Sequence, residues 1–127
     1  MRKRFAVAAA VALGGALAAS GGVAGASGHA AARPTVTVRL GDFFFRPATV
    51  TVHVGQPVRF VNVGKIDHTV ADTDHRSRIR SRLIHPRALA HGDVQTVRFS
   101  RPGTVRYLCT FHQTLMRGTI VVRRGGG

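Results

Sequence analysis

Apolar residues recur at every second position in several short runs of this chain. Val36, Val38 and Leu40 alternate with Thr35, Thr37 and Arg39, and Val50, Val52 and Val54 alternate with Thr51 and His53. Val58–Val63, Val94–Phe99, Thr104–Cys109 and Gly118–Arg123 are further β-branched runs of strand length. Side chains alternate between the two faces of a strand, so each such run has one face to bury. Gly41-Asp42, Gly55-Gln56-Pro57, Gly64-Lys65 and Pro102-Gly103 punctuate them as turns. No helical period is sustained from Thr35 onward. The expectation is an all-β fold of seven to eight strands, a Greek-key β-sandwich with a closed barrel as the variant, its two antiparallel sheets packed face to face.

The N-terminus has a different pattern. Arg2-Lys3-Arg4 precedes an apolar, Ala-rich run from Phe5 to Ala19, and Ala24-Gly25-Ala26 offers small residues for cleavage. This is the layout of a secretory signal peptide, and the run is short for a membrane span. The expected organisation is a signal peptide over 1–26, a flexible lead-in over 27–34, one domain over 35–124 and a glycine tail over 125–127. The mature protein is expected to be secreted, outside the cytoplasm, with no transmembrane anchor. A domain of this size leaves no room for a two-domain enzyme.

Charge is strongly one-sided. The chain carries 19 Lys and Arg against five Asp and no Glu. Loss of Arg2, Lys3 and Arg4 would leave sixteen basic and five acidic residues. Such an excess favours anionic partners and speeds their association. Export argues against nucleic acid, which leaves an acidic redox partner protein, anionic cell-wall polymer or a membrane surface. Within the long connection Thr73–Asp93, Arg76, Arg78, Arg80 and Arg82 alternate with Ser and Ile, and they form the candidate docking face. Periodicity does not choose between strand and helix there, and one helical turn is expected. His75, His85 and His91 in the same connection read as exposed.

Cys109 is the only cysteine, so no disulfide within the chain can staple the domain. A lone exported thiol is a liability unless buried or metal-bound. Its neighbours favour the second. His112 follows three residues later and Met116 four after that, in one loop between two strands. Thiolate, imidazole and thioether together select copper over harder ions, and two His, one Cys and a weak Met ligand describe an electron-transfer copper site. His68, at the start of an earlier strand read as His68–Asp72, is the candidate second histidine. Each residue alone has an ordinary structural reading: Cys109 or Met116 as core filler, His68 as a polar strand end.

These features together resemble the small cupredoxins of the plastocyanin, pseudoazurin and amicyanin type. The likeness runs from about Thr35 to Arg123. It rests on Phe43-x-Phe45-x-Pro47-Ala48-Thr49-Val50-Thr51-Val52, Val54-Gly55, His68-Thr69-Val70, Pro102–Tyr107, Cys109-Thr110-Phe111-His112 and Met116-Arg117-Gly118. The resemblance implies one copper ion held by His68, Cys109 and His112, with Met116 as axial ligand. It also implies one-electron transfer between redox partners by a monomer that is not itself an enzyme. Thr69 and Thr110 would brace the ligands by hydrogen bonds. His112 would be the electron port, inside an apolar patch of Phe111 and Leu115. The loop departs from the family in its three-residue His–Met spacing, in Gln113 after the histidine and in Thr69 after His68. A copper carrier or delivery protein without redox turnover is the alternative. A copper oxidase or nitrite reductase would need further histidine pairs, and this chain has no His-x-His motif.

Overall fold

A computed structural model describes residues 32–125. The export segment expected over 1–26, most of the lead-in and the last two glycines lie outside the described residues.

Among the described residues eight strands form: β1 Val36–Gly41, β2 Phe44–Arg46, β3 Thr49–His53, β4 Val58–Asn62, β5 Ala71–Thr73, β6 Val94–Val97, β7 Gly103–Leu108 and β8 Arg117–Arg123. They make two four-stranded sheets, ordered β2-β1-β4-β6 and β3-β8-β7-β5. Among the described residues there is no helix. Alternation sets the inward faces: Val38 and Leu40 of β1, Val50 and Val52 of β3, Val58 and Phe60 of β4, Val105 and Tyr107 of β7, and Ile120 and Val122 of β8 are all buried. Each fully buried large apolar side chain contributes about 1.5–3 kcal/mol over exposure.

Tyr107 ties the sheets together. Its ring meets Phe45 edge-on at 4.8 Å and Phe60 at 5.4 Å, both from the opposite sheet. Burial pushes its phenol well above the ordinary range. On its own sheet Tyr107 lies over Gly118, where a β-carbon would overlap the ring. Gly118 therefore lets β8 pass close beneath the aromatic centre.

The sheets are mixed rather than purely antiparallel. β1 pairs parallel with β4, and β3 pairs parallel with β8. The chain leaves the first sheet after β2, crosses to the second for β3 and returns for β4. Each parallel pair is thus joined through the other sheet, not by a hairpin, and alternation within a strand carries no information about that.

The connection from 73 to 93 also differs from expectation. No helical turn forms. Asp72, itself buried, accepts hydrogen bonds from the Leu83 and Ile84 amides at 2.9 and 2.8 Å. Asp74 accepts from the Arg76 and Arg78 amides at 2.8 and 2.9 Å. Thr73 bridges Ile79, and Ser77 and Ser81 adopt positive φ. Carboxylates thus take up the amides a helix would have used. Ile84 and Leu89 enter the core.

Candidate metal centre

Three pieces of chain meet at one end of the sandwich. The first is the exit from β7. Cys109 follows the strand directly and is fully buried. Its amide donates to the Met116 carbonyl at 3.1 Å, and the Met116 amide donates to the His112 carbonyl at 2.9 Å. The His112 amide returns to the Cys109 carbonyl at 3.2 Å. These bonds pinch the neck of the loop, so Cys109 and Met116 face one another across it in backbone register. Met116 is fully buried in the same apolar cluster as Cys109.

The second piece carries His68. The strand expected from His68 begins only at Ala71. His68 instead bridges Leu89, its amide donating at 3.1 Å and its carbonyl accepting at 2.8 Å. The bridge holds the fully buried imidazole against the thiol: Nδ1 lies 3.9 Å from Cys109 Sγ. Thr69 adds to the clasp. Its amide points at Cys109 Sγ at 3.4 Å, and its hydroxyl lies 2.7 Å from the Thr110 hydroxyl and accepts from the Thr110 amide at 2.8 Å.

The third piece is the β1–β2 hairpin. Its two turn residues, Asp42 and Phe43, both face the centre. The Asp42 carboxylate accepts from His68 Nε2 at 3.0 Å, and the Phe43 ring meets the His112 ring edge-on at 4.9 Å. Phe43 has φ +79°, a conformation that costs a residue with a β-carbon about 1–2 kcal/mol. Backbone strain of this kind gathers where a side chain must be aimed. The Asp42 carboxyl is held below its ordinary value, chiefly by the Lys65 amide and then by the His68 ring.

His112 is half-buried, with its ring centroid 5.5 Å from that of His68. Phe111 and Leu115 beside it are 55% and 66% exposed, and Phe43 is 47% exposed. The histidine therefore reaches the surface through an apolar rim, to which Phe43 is an addition that sequence reasoning missed. The four arginines lie on the connection beside β5 and β8. Ser77, between Arg76 and Arg78, accepts a hydrogen bond from Arg117 at 2.6 Å, one residue beyond Met116. Arg78 and Arg80 are ion-paired to Asp74 at 2.8 and 2.9 Å.

The donor set can be tested for fit. Metal bonds of about 2.3 Å to sulfur and 2.0 Å to nitrogen, spread at a trigonal angle, separate the two ligand atoms by roughly 3.7 Å. The 3.9 Å between Cys109 Sγ and His68 Nδ1 agrees with that. Among the described residues no three His, Cys, Asp or Glu side chains already form a closed metal-holding group. The fit therefore rests on the buried His68–Cys109 pair, with the His112 loop beside it. A cavity of about 310 Å³ lies elsewhere, around Leu83, Phe99 and the turn into β7, at the far end of that strand from Cys109.

Two positioning residues escaped sequence reasoning. Asn62, fully buried, donates to the Ile66 and Leu89 carbonyls at 2.9 and 2.7 Å and accepts from the Gly64 amide at 2.8 Å. It thereby fixes the loop before His68 and the residue His68 bridges. Asp42 is the other. The one available signal was scarcity: a chain with five acidic residues and no Glu makes each carboxylate conspicuous.

The family profile described as a cupredoxin-like domain matches residues 6–122. A plastocyanin of Scenedesmus fuscus is 34% identical over 97 residues, spanning 69% of this chain and 99% of its own length. The solved purple cupredoxin from Nitrosopumilus maritimus superposes with a TM-score of 0.64 at 21% identity, over 68% of this chain and 98% of its own. A copper-containing nitrite reductase from Thermus scotoductus matches with a TM-score of 0.60 at 27% identity, over 80% of this chain but 25% of the enzyme.

Proposed function

The chain belongs to the cupredoxin-like domain family, and from that premise we propose that it is an exported, monomeric one-electron carrier. One copper ion would be held by Cys109, His68 and His112, with Met116 as a weaker fourth ligand. The observation that carries this reading is the burial of a thiol and an imidazole nitrogen 3.9 Å apart at one end of a rigid sandwich. A bound copper ion supplies the redox couple, cycling between Cu(II) and Cu(I). The protein's part is to hold the ligands still. Thr69 and Thr110 join the two ligand-bearing segments, and the pinched neck of the 109–116 loop fixes where His112 projects. A site that moves little loses little to reorganisation when an electron enters or leaves.

His112 is the electron port, because it alone of the three strong ligands reaches the surface, within Phe43, Phe111 and Leu115. The flanking arginines favour an acidic redox partner, with anionic cell-wall or membrane surfaces as secondary contacts. Among the described residues no helix is long and apolar enough to cross a membrane. Export itself rests on the sequence pattern of residues 1–26. The likeness to the nitrite reductase spans a quarter of that enzyme, too little to bring its activity to this chain.

The test is Cu(II) titration of the purified protein, followed by visible absorption and EPR, beside Cys109→Ser. The expected result is one equivalent of copper and an intense thiolate-to-copper band, reversibly bleached by ascorbate and absent from the variant. A protein that takes up Cu(I) only and stays colourless would be a copper carrier instead, and the electron-transfer reading would be abandoned.

A further inference from the structure

We propose that Asp42 is a positioning residue for the metal centre: its carboxylate fixes the His68 tautomer and places a negative charge directly behind that ligand. The inference deepens the copper reading and rests on it. Imidazole binds a metal through one nitrogen, and the partner of the other nitrogen decides which one is free. Here Nε2 is bound to Asp42 Oδ1 at 3.0 Å, while Nδ1 faces Cys109 Sγ. A carboxylate accepts and does not donate, so Nε2 carries the proton and the Nδ1 lone pair points toward the thiol.

Asp42 is held for this task from several sides. Its two oxygens accept from the Lys65 amide, both at 3.0 Å, and Oδ1 also lies 3.4 Å from the Ile66 amide. A β-carbon on Gly64 would overlap the carboxylate, so the glycine leaves the room it occupies. The hairpin turn that presents Asp42 is the strained one that also presents Phe43 to His112. One tight turn thus steadies both histidines.

Charge follows from geometry. The His68 side chain is fully buried and that of Asp42 is 30% exposed, so the pair is only partly screened. A negative charge behind a ligand favours the more positive state of a bound ion, hence Cu(II) over Cu(I). Partners of this kind are typically worth about 10–100-fold in metal affinity. Asp42→Asn keeps an oxygen for the three donors and removes the charge. A purely structural turn residue would tolerate that exchange without any change in redox balance.

The experiment measures the reduction potential of the copper-loaded full chain and its Asp42→Asn variant by spectroelectrochemistry. Expected is an upward shift from a roughly tenfold loss of Cu(II) preference, which is about 59 mV for a one-electron couple. A blue variant with an unchanged potential overturns the inference and leaves the copper reading standing. A wild type without the thiolate band overturns both. Should the variant fail to fold, ¹⁵N NMR of the wild-type Cu(I) form decides. A slowly exchanging proton on His68 Nε2 supports the inference, and a proton on Nδ1 overturns it.

Discussion

The hydroxyls of Thr69 and Thr110 meet at 2.7 Å, each on the residue following a proposed ligand. Forty-one positions apart in sequence, they join the His68 segment to the exit of β7. Thr69 also accepts the Thr110 amide at 2.8 Å, so its hydroxyl is the only part of the clasp a same-shaped residue would remove. Thr69→Val leaves the Thr110 amide without that acceptor. The expected cost is about 1–2 kcal/mol, since an unmade buried bond forfeits its desolvation. Urea unfolding of the metal-free protein measures it, and a loss below a few tenths would show that the clasp does not stabilise the fold.

Asn62 works one step further from the centre. Its amide group serves the Ile66 and Leu89 carbonyls and the Gly64 amide, all from full burial. Asn62→Leu fills the space and removes all three bonds. About 1–3 kcal/mol of stability should go, chiefly because the Ile66 carbonyl loses its partner, while the Leu89 carbonyl keeps the His68 amide and the Gly64 amide keeps the Leu40 carbonyl. Hydrogen exchange gives a sharper reading: the His68 and Leu89 amides, which bridge each other, should lose protection before those of β7 and β8. Uniform loss across the sandwich would instead mean that Asn62 supports the whole core.

Asp42 and Asn62 mark where sequence reasoning stops. Strand positions were readable because alternation is local: Val50 with Val52 and Ile120 with Val122 announce an inward face within a few residues. Cys109, His112, Met116 and His68 were readable as candidates because their side chains have few ordinary reasons to share a loop and a strand end. Asp42 and Asn62 looked like a turn and a strand end. Asp42 meets the Lys65 and Ile66 amides only because β1 lies beside β4, a parallel pairing no hairpin enforces, and Asn62 reaches the Leu89 carbonyl 27 residues away. The expected helical turn in the connection fails for a similar reason. Asp72 captures the Leu83 and Ile84 amides from 11 and 12 residues away, beyond any local period.

Acid should loosen the arginine-rich loop before the core. The Asp74 carboxyl is held well below its ordinary value of 3.8, first by the Arg78 amide and then by the Arg78 side chain and the Arg76 amide. A carboxylate with a depressed folded value contributes stability above its unfolded value and loses it as pH falls through the folded one. The loop is therefore expected to hold above about pH 4 and to weaken below it. Amide resonances of Arg76 and Arg78 followed by NMR as pH is lowered from 5 should hold through the ordinary carboxylate range and begin to move toward random-coil positions only below it. The same resonances in Asp74→Asn should show no such transition; if they do, another group is titrating.

The four arginines are not equivalent. Arg78 and Arg80 share Asp74, while no ion pair to Arg76 or Arg82 occurs among the described residues. The guanidinium groups of Arg78 and Arg80 already spend donors on Asp74, whereas those of Arg76 and Arg82 can turn theirs to a docking anion, and exposed charge acts over a Debye length of about 8–10 Å. Arg76→Gln and Arg82→Gln should therefore slow electron exchange with an anionic reagent such as hexacyanoferrate more than Arg78→Gln does. At low ionic strength the double variant should be several-fold slower than wild type. The difference should shrink steadily as salt is raised through roughly 0.15 M, where screening shortens the reach of exposed charge. Stopped-flow rates against ionic strength decide the point. Equal rates for all variants at low salt would remove this face from the docking surface and leave the apolar rim around His112 as the whole of it.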